Sequence, residues 1–161
     1  MNVFDFAAKM ELDGKSYYEN MAEATSVASL KTLLMMLASD EQKHFEVVLA
    51  MKRGDDLSMA DSTVLEDVKN VFETFRADKT ILGGLEKEYD ICKHSIKIEE
   101  ESIKLYEDMA RKENNPEILQ LFLRIANEEK KHYNIMDNYY EFILRPEYYL
   151  EWREFGNLGR L

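Results

Sequence analysis

The sequence predicts an all-α fold, a four-helix bundle in which two antiparallel helical hairpins are joined by one long crossover. Three observations predict it. The 161 residues are 45% hydrophobic and 33% charged with only 6 Gly and 2 Pro, a balance that suits amphipathic helices and not sheets joined by tight turns. Apolar residues recur at helical steps of three and four over four long stretches. The chain also repeats itself: the pairs 11/99, 18/106, 41/129 and 44/132 are each 88 residues apart, with no gap required.

The first helix is expected from Val3 to Ala24 and the second from Ala28 to Met51, with Gly54 as its stop. A third runs from Leu85 to Arg111 behind Gly83 and Gly84, and a fourth from Pro116 to Leu144. Asn115-Pro116-Glu117 reads as a cap, a first-turn proline and a first-turn acid. Short links within each pair make the partners antiparallel. Residues 53–84 are long enough to cross the length of the bundle and contain a further amphipathic stretch, Val64 to Phe75. At the 88-residue offset Glu11, Tyr18, Glu19, Met21, Ala22, Leu33, Ala38, Glu41, Lys43 and His44 meet identical residues, so two copies of one hairpin related by a pseudo-twofold axis are expected. The stretch 146–161, with Tyr148, Tyr149, Trp152 and Phe155, has no counterpart in the first half; it covers a bundle end or makes a subunit contact, and a homodimer is the expected assembly. The whole of 1–161 reads as one domain.

Net charge is -11, which repels a phosphate backbone or an anionic membrane surface and so excludes nucleic acid as an expected partner. Cys92 is the only cysteine, which rules out a disulfide framework or a Cys-x-x-Cys site within the sequence and points to the reducing cytoplasm. No positive segment leads into an apolar run after Met1, and nothing approaches the roughly 18 apolar residues of a membrane span, so neither export nor insertion is expected.

The chemistry lies where the apolar stripes break. On the fourth helix the stripe runs Ile118, Phe122, Ile125, Glu129, His132, Met136, and on the second Leu34, Leu37, Glu41, His44, Val48. Glu11 and Glu99 interrupt the first and third in the same way, and the repeat brings all four breaks to one level. Four buried carboxylates cannot stay there uncompensated, because each unpaired charge costs several kcal/mol of desolvation and raises its neighbours' pKa. No Lys or Arg lies on these stripes near the breaks, whereas two divalent cations balance four glutamates, with neutral imidazoles completing the coordination. Glu-x-x-His puts both side chains on one helical face, so each of these helices can give a nitrogen to one ion and a carboxylate that spans both. Glu19 and Glu107 read as solvated, His94 as a non-ligand, Cys92 as a small buried hydrophobe, and Met21, Met35, Met36, Met109 and Met136 as core filler.

Glu11, Glu41-x-x-His44, Glu99 and Glu129-x-x-His132 resemble the ligand set of the ferritin-like di-iron carboxylate proteins. The repeated Glu-x6-Tyr-Glu-x-Met-Ala and the stretch Ala126 to Tyr133 resemble the rubrerythrin branch, over about residues 3 to 144. The resemblance implies a ferritin-like bundle with Glu11 and Glu99 as terminal ligands, Glu41 and Glu129 as bridging ligands, and His44 and His132 as one nitrogen ligand per ion. It implies two iron ions, with Mn or Zn as alternatives, and Tyr18 and Tyr106 as hydrogen-bond donors to the ligand carboxylates. Rubrerythrins typically carry a further glutamate three residues after the third-helix ligand, where this sequence has Ser102, matched by Gly14 in the first repeat. They also carry a rubredoxin domain with four cysteines, which this sequence lacks, so electrons are expected from a separate donor such as a rubredoxin.

The implied function is an oxidoreductase that reduces hydrogen peroxide or dioxygen in oxidative-stress defence. Three other readings share the site: ferrous oxidation in iron handling, hydroxylation of an organic substrate, and a non-catalytic metal-binding bundle.

Overall fold

A computed structural model of the chain describes residues 2–55, Met59, Ser62 and 89–144, the side chains of residues 29, 89–91 and 142–144 aside. Four helices carry the described fold: α1 Val3–Ala24, α2 Ala28–Arg53, α3 Tyr89–Lys112 and α4 Pro116–Leu144. The described residues contain no strand, and the architecture is the expected all-α four-helix bundle. Most of the crossover at 53–84, including Val64 to Phe75, lies outside the described residues, as do Leu85 to Glu88 and the aromatic extension at 146–161.

The helix ends follow local chemistry. Asn2 Oδ1 accepts the Asp5 N–H at 2.8 Å and caps α1. Gly54 closes α2 with φ +75, a left-handed conformation that costs a residue bearing a Cβ about 1–2 kcal/mol. Asn115 Oδ1 accepts the N–H groups of Glu117 (3.0 Å) and Ile118 (3.4 Å) at the start of α4. Three-residue links at 25–27 and 113–115 fold α1 back on α2 and α3 back on α4. Packing is densest within each of these hairpins, and α1–α3 and α2–α4 contacts join the two.

The core has two apolar clusters. One gathers Tyr18, Met21, Leu30, Leu34, Leu37, Cys92, Ile135 and Tyr139; the other Ala7, Val48, Met51, Tyr106, Met109, Phe122 and Ile125. A fully buried Leu or Phe in either stabilises the fold by about 1.5–3 kcal/mol. The start of α2 and the start of α3 share the first cluster, and the ends of both helices share the second, so α2 and α3 run parallel. α2 therefore ends, and the described part of α3 begins, at opposite clusters of the core. Met59 joins the second cluster, and its carbonyl accepts a 2.7 Å hydrogen bond from Arg124 Nη2. Met35, expected in the core, is 44% exposed, because it lies one step beyond the buried Leu34 and faces out.

Candidate metal centre

Between the two apolar clusters the stripe residues change from hydrocarbon to carboxylate and imidazole. Glu11, Glu41, His44, Glu99, Glu129 and His132 are all brought together, each at most 4% exposed. They form two groups, Glu11–Glu41–His44–Glu129 and Glu41–Glu99–Glu129–His132, in each of which one ligand atom per residue lies within 4.8 Å of the others. Glu41 and Glu129 belong to both groups.

The central contacts of the site come in pairs related by the 88-residue repeat. His44 Nδ1 lies 2.7 Å from Glu129 Oε1, and His132 Nδ1 lies 2.9 Å from Glu41 Oε1. His44 Nδ1 is 3.5 Å from Glu11 Oε2, matched by 3.6 Å between His132 Nδ1 and Glu99 Oε1. Tyr18 OH donates to Glu99 Oε1 at 2.5 Å, and Tyr106 OH donates to Glu11 Oε1 at 2.6 Å. Each tyrosine thus holds the glutamate of the opposite hairpin. The imidazoles stack with centroids 6.1 Å apart. Such a set of exchanged contacts is what a pseudo-twofold through the site produces.

Both histidines turn Nδ1 into the centre and Nε2 away from it. His44 Nε2 meets Glu128 Oε1 at 2.8 Å, and His132 Nε2 meets Asp40 Oδ2 at 2.9 Å. A carboxylate accepting the far N–H fixes the tautomer that leaves Nδ1 free to coordinate. Asp40 and Glu128 complete the outer hydrogen-bond layer of the candidate centre, and the sequence did not single them out. They sit one place before Glu41 and Glu129 and are themselves 88 residues apart, yet they look like ordinary polar neighbours, and one is Asp where the other is Glu. Lys43 Nζ lies 3.1 Å from Glu128 Oε1 and 3.9 Å from Asp40 Oδ1, so a basic residue does reach this outer layer.

The electrostatics report an excess of negative charge. Burial and the carboxylates of Glu11, Glu129 and Glu99 push Glu41 well above the usual range, and burial with Glu99 and Glu11 does the same to Glu129. Burial would lower the two histidines, but the facing carboxylates overcome it and hold both well above the ordinary imidazole value. Glu99 moves the other way: burial would raise it, and hydrogen bonds involving Glu129, His132 and Tyr18 outweigh that. Burial and the adjacent glutamates raise Tyr18 and Tyr106 far enough that both stay protonated donors.

The donor set fits divalent metal. Glu11 Oε2 and Glu99 Oε2 are buried oxygens without a hydrogen-bond partner, and both belong to residues whose other oxygen is held by a tyrosine. An orphaned buried carboxylate oxygen in each group, on a glutamate that lies beside an imidazole Nδ1, is what a cation would satisfy. Gly14 and Ser102 supply no further carboxylate; both are buried, and a Cβ on Gly14 would meet Glu41 Oε2 at 3.5 Å. The residues expected outside the centre lie outside it. Glu107 pairs with Lys130 at 3.2 Å, and the exposed His94 ring rests 5.4 Å from that of Tyr17. Among the described residues no helix is long and apolar enough to cross a membrane.

Comparison with known proteins adds one finding. Neither curated proteins nor solved structures give a significant match. A model of the rubrerythrin family matches residues 2–140, most of the chain and every residue of the centre, and the chain belongs to that family.

Proposed function

We propose that this protein is a di-iron oxidoreductase that reduces hydrogen peroxide or dioxygen with electrons from a separate donor protein. The observation that carries the reading is the pair of four-residue groups sharing Glu41 and Glu129. Glu11 and His44 would hold one ion and Glu99 and His132 the other, with Glu41 and Glu129 within reach of both. A ferrous pair bound by these residues would supply the two electrons that, with two protons, reduce one hydrogen peroxide to two waters.

The protein's own part is positional. Glu128 and Asp40 orient the imidazoles through Nε2–H, and the Tyr18 and Tyr106 hydroxyls hold Glu99 and Glu11 in place. Burial keeps bulk water from the carboxylates and strengthens each of these contacts. With Cys92 as the only cysteine, the sequence supplies no cysteine cluster to return electrons, so a rubredoxin-like donor is part of the proposal, as are a homodimer and a cytoplasmic setting.

The test is single-turnover and steady-state peroxide consumption by the anaerobically loaded diferrous protein. About one peroxide should disappear per site in a fast phase, and turnover should continue only when a reduced rubredoxin or equivalent one-electron donor is added. Sustained consumption with dioxygen evolution would replace this reading with dismutation. No reaction with peroxide would move it to ferrous oxidation or to a non-catalytic site.

A further inference from the structure

One residue of the segment that follows α2 touches the outer layer of both halves of the centre. Ser62 Oγ donates to Asp40 Oδ2 at 2.5 Å, and the Ser62 backbone N–H donates to Glu128 Oε2 at 3.1 Å. Asp40 in turn holds His132 Nε2 at 2.9 Å, and Glu128 holds His44 Nε2 at 2.8 Å. Ser62 is thus two hydrogen bonds from the Nε2 atom of each imidazole, the ring nitrogen that faces away from the centre. It comes from neither repeated hairpin, so it bridges the pseudo-twofold from outside.

The two contacts differ in kind. A carboxylate that orients an imidazole does so only as well as it is itself held, and a side-chain hydroxyl and a main-chain amide hold these two in different ways. Replacing Ser62 by Ala deletes the donor to Asp40 and leaves the amide donor to Glu128. The arrangement therefore allows the two halves of a nearly symmetric centre to be separated by one substitution.

We infer that Ser62 is a positioning residue for the centre, setting the orientation of His132 through Asp40 by its hydroxyl and that of His44 through Glu128 by its backbone amide. This rests on the two-metal reading. The crossover then does more than connect the hairpins: one of its residues fixes the outer hydrogen-bond layer of both ion sites.

The experiment is a titration of the metal-free protein with Co2+, resolved into two stepwise dissociation constants, for wild type, Ser62→Ala, Ser62→Thr and the exposed control Ser39→Ala. The Zn2+-loaded forms, labelled with 15N-histidine, report the two Nε2–H resonances. Loss of an outer partner of a ligand histidine weakens metal binding by about 10–100-fold. Ser62→Ala keeps Asp40 itself and loosens only its hold, so it should weaken one of the two constants by less than that, about three- to tenfold, and shift the His132 Nε2–H resonance while leaving that of His44 in place. Ser62→Thr, which keeps the hydroxyl, should restore both, and Ser39→Ala should match wild type. Unchanged constants in Ser62→Ala would overturn the inference. So would equal weakening of both sites together with a lower melting temperature of the metal-free protein, since that marks a general structural role. A wild-type protein that binds fewer than two Co2+ would instead overturn the two-metal reading, and this inference with it.

Discussion

At the scale of single residues, the six central side chains were legible because each breaks a rule. A glutamate or histidine on an apolar helical stripe is costly unless something compensates it, and the same break recurring 88 residues later makes accident a poor explanation. Asp40 and Glu128 were not legible, because an acid beside other polar residues breaks no rule; only the folded chain shows each of them against a histidine of the other hairpin. Ser62 was hidden for the same reason, its role being a tertiary contact with no sequence pattern behind it. The tyrosines were expected to hold carboxylates, and the structure adds which one: Tyr18 holds Glu99, whose second oxygen has no partner. Tyr18→Phe would remove the hydrogen bond to Glu99 Oε1. We expect it to lower the stability of the metal-free protein by about 1–3 kcal/mol, the usual penalty for leaving a buried polar group unpaired. Urea unfolding at neutral pH checks this, and an unchanged midpoint would mean that Glu99 finds another partner at no cost.

At the scale of elements, periodicity placed the helices and local capping chemistry placed their ends. Gly54 and Asn115 are examples, since the left-handed turn and the side-chain cap each follow from one residue type. Met35 faces out unexpectedly because in a run such as Leu33-Leu34-Met35-Met36-Leu37 every position is apolar, so periodicity alone does not pick the exposed one. The direction of α3 relative to α2 also needed the fold, because it depends on which side chains share a cluster. Gly54→Ala should cost about 1–2 kcal/mol, since the +75 φ is unfavourable for any residue with a Cβ while no atom lies within 4 Å of the added methyl. Thermal unfolding of the metal-free protein measures it. A neutral effect would place the end of α2 in a conformation other than the left-handed one.

At the scale of the whole molecule, two stable apolar clusters hold a charged layer that neither of them would tolerate by itself. In the metal-free protein, protons supply the missing positive charge: Glu41, Glu129, His44 and His132 all hold them more tightly than an unfolded chain would. Groups with raised values favour the fold at low pH and cease to do so as pH rises through them, so the metal-free protein should lose stability from mildly acidic to mildly alkaline conditions. Asp40, Glu99 and Glu128, whose values are lowered, act in the opposite sense, and their contribution is lost only in stronger acid. Metal replaces those protons, so its stabilising effect should grow with pH. Calorimetry of loaded and metal-free protein across that range should show a widening gap in melting temperature, and a constant gap would argue against proton displacement. The most direct measurement of the account is the metal content of protein reconstituted anaerobically with ferrous ion and freed of excess, for wild type and for Glu41→Ala, Glu129→Ala, Glu19→Ala and Glu107→Ala. The account predicts two ions per chain in wild type and in the Glu19 and Glu107 variants, and one or none when either shared glutamate is lost. A wild-type value near zero, or equal losses in all four variants, would contradict it.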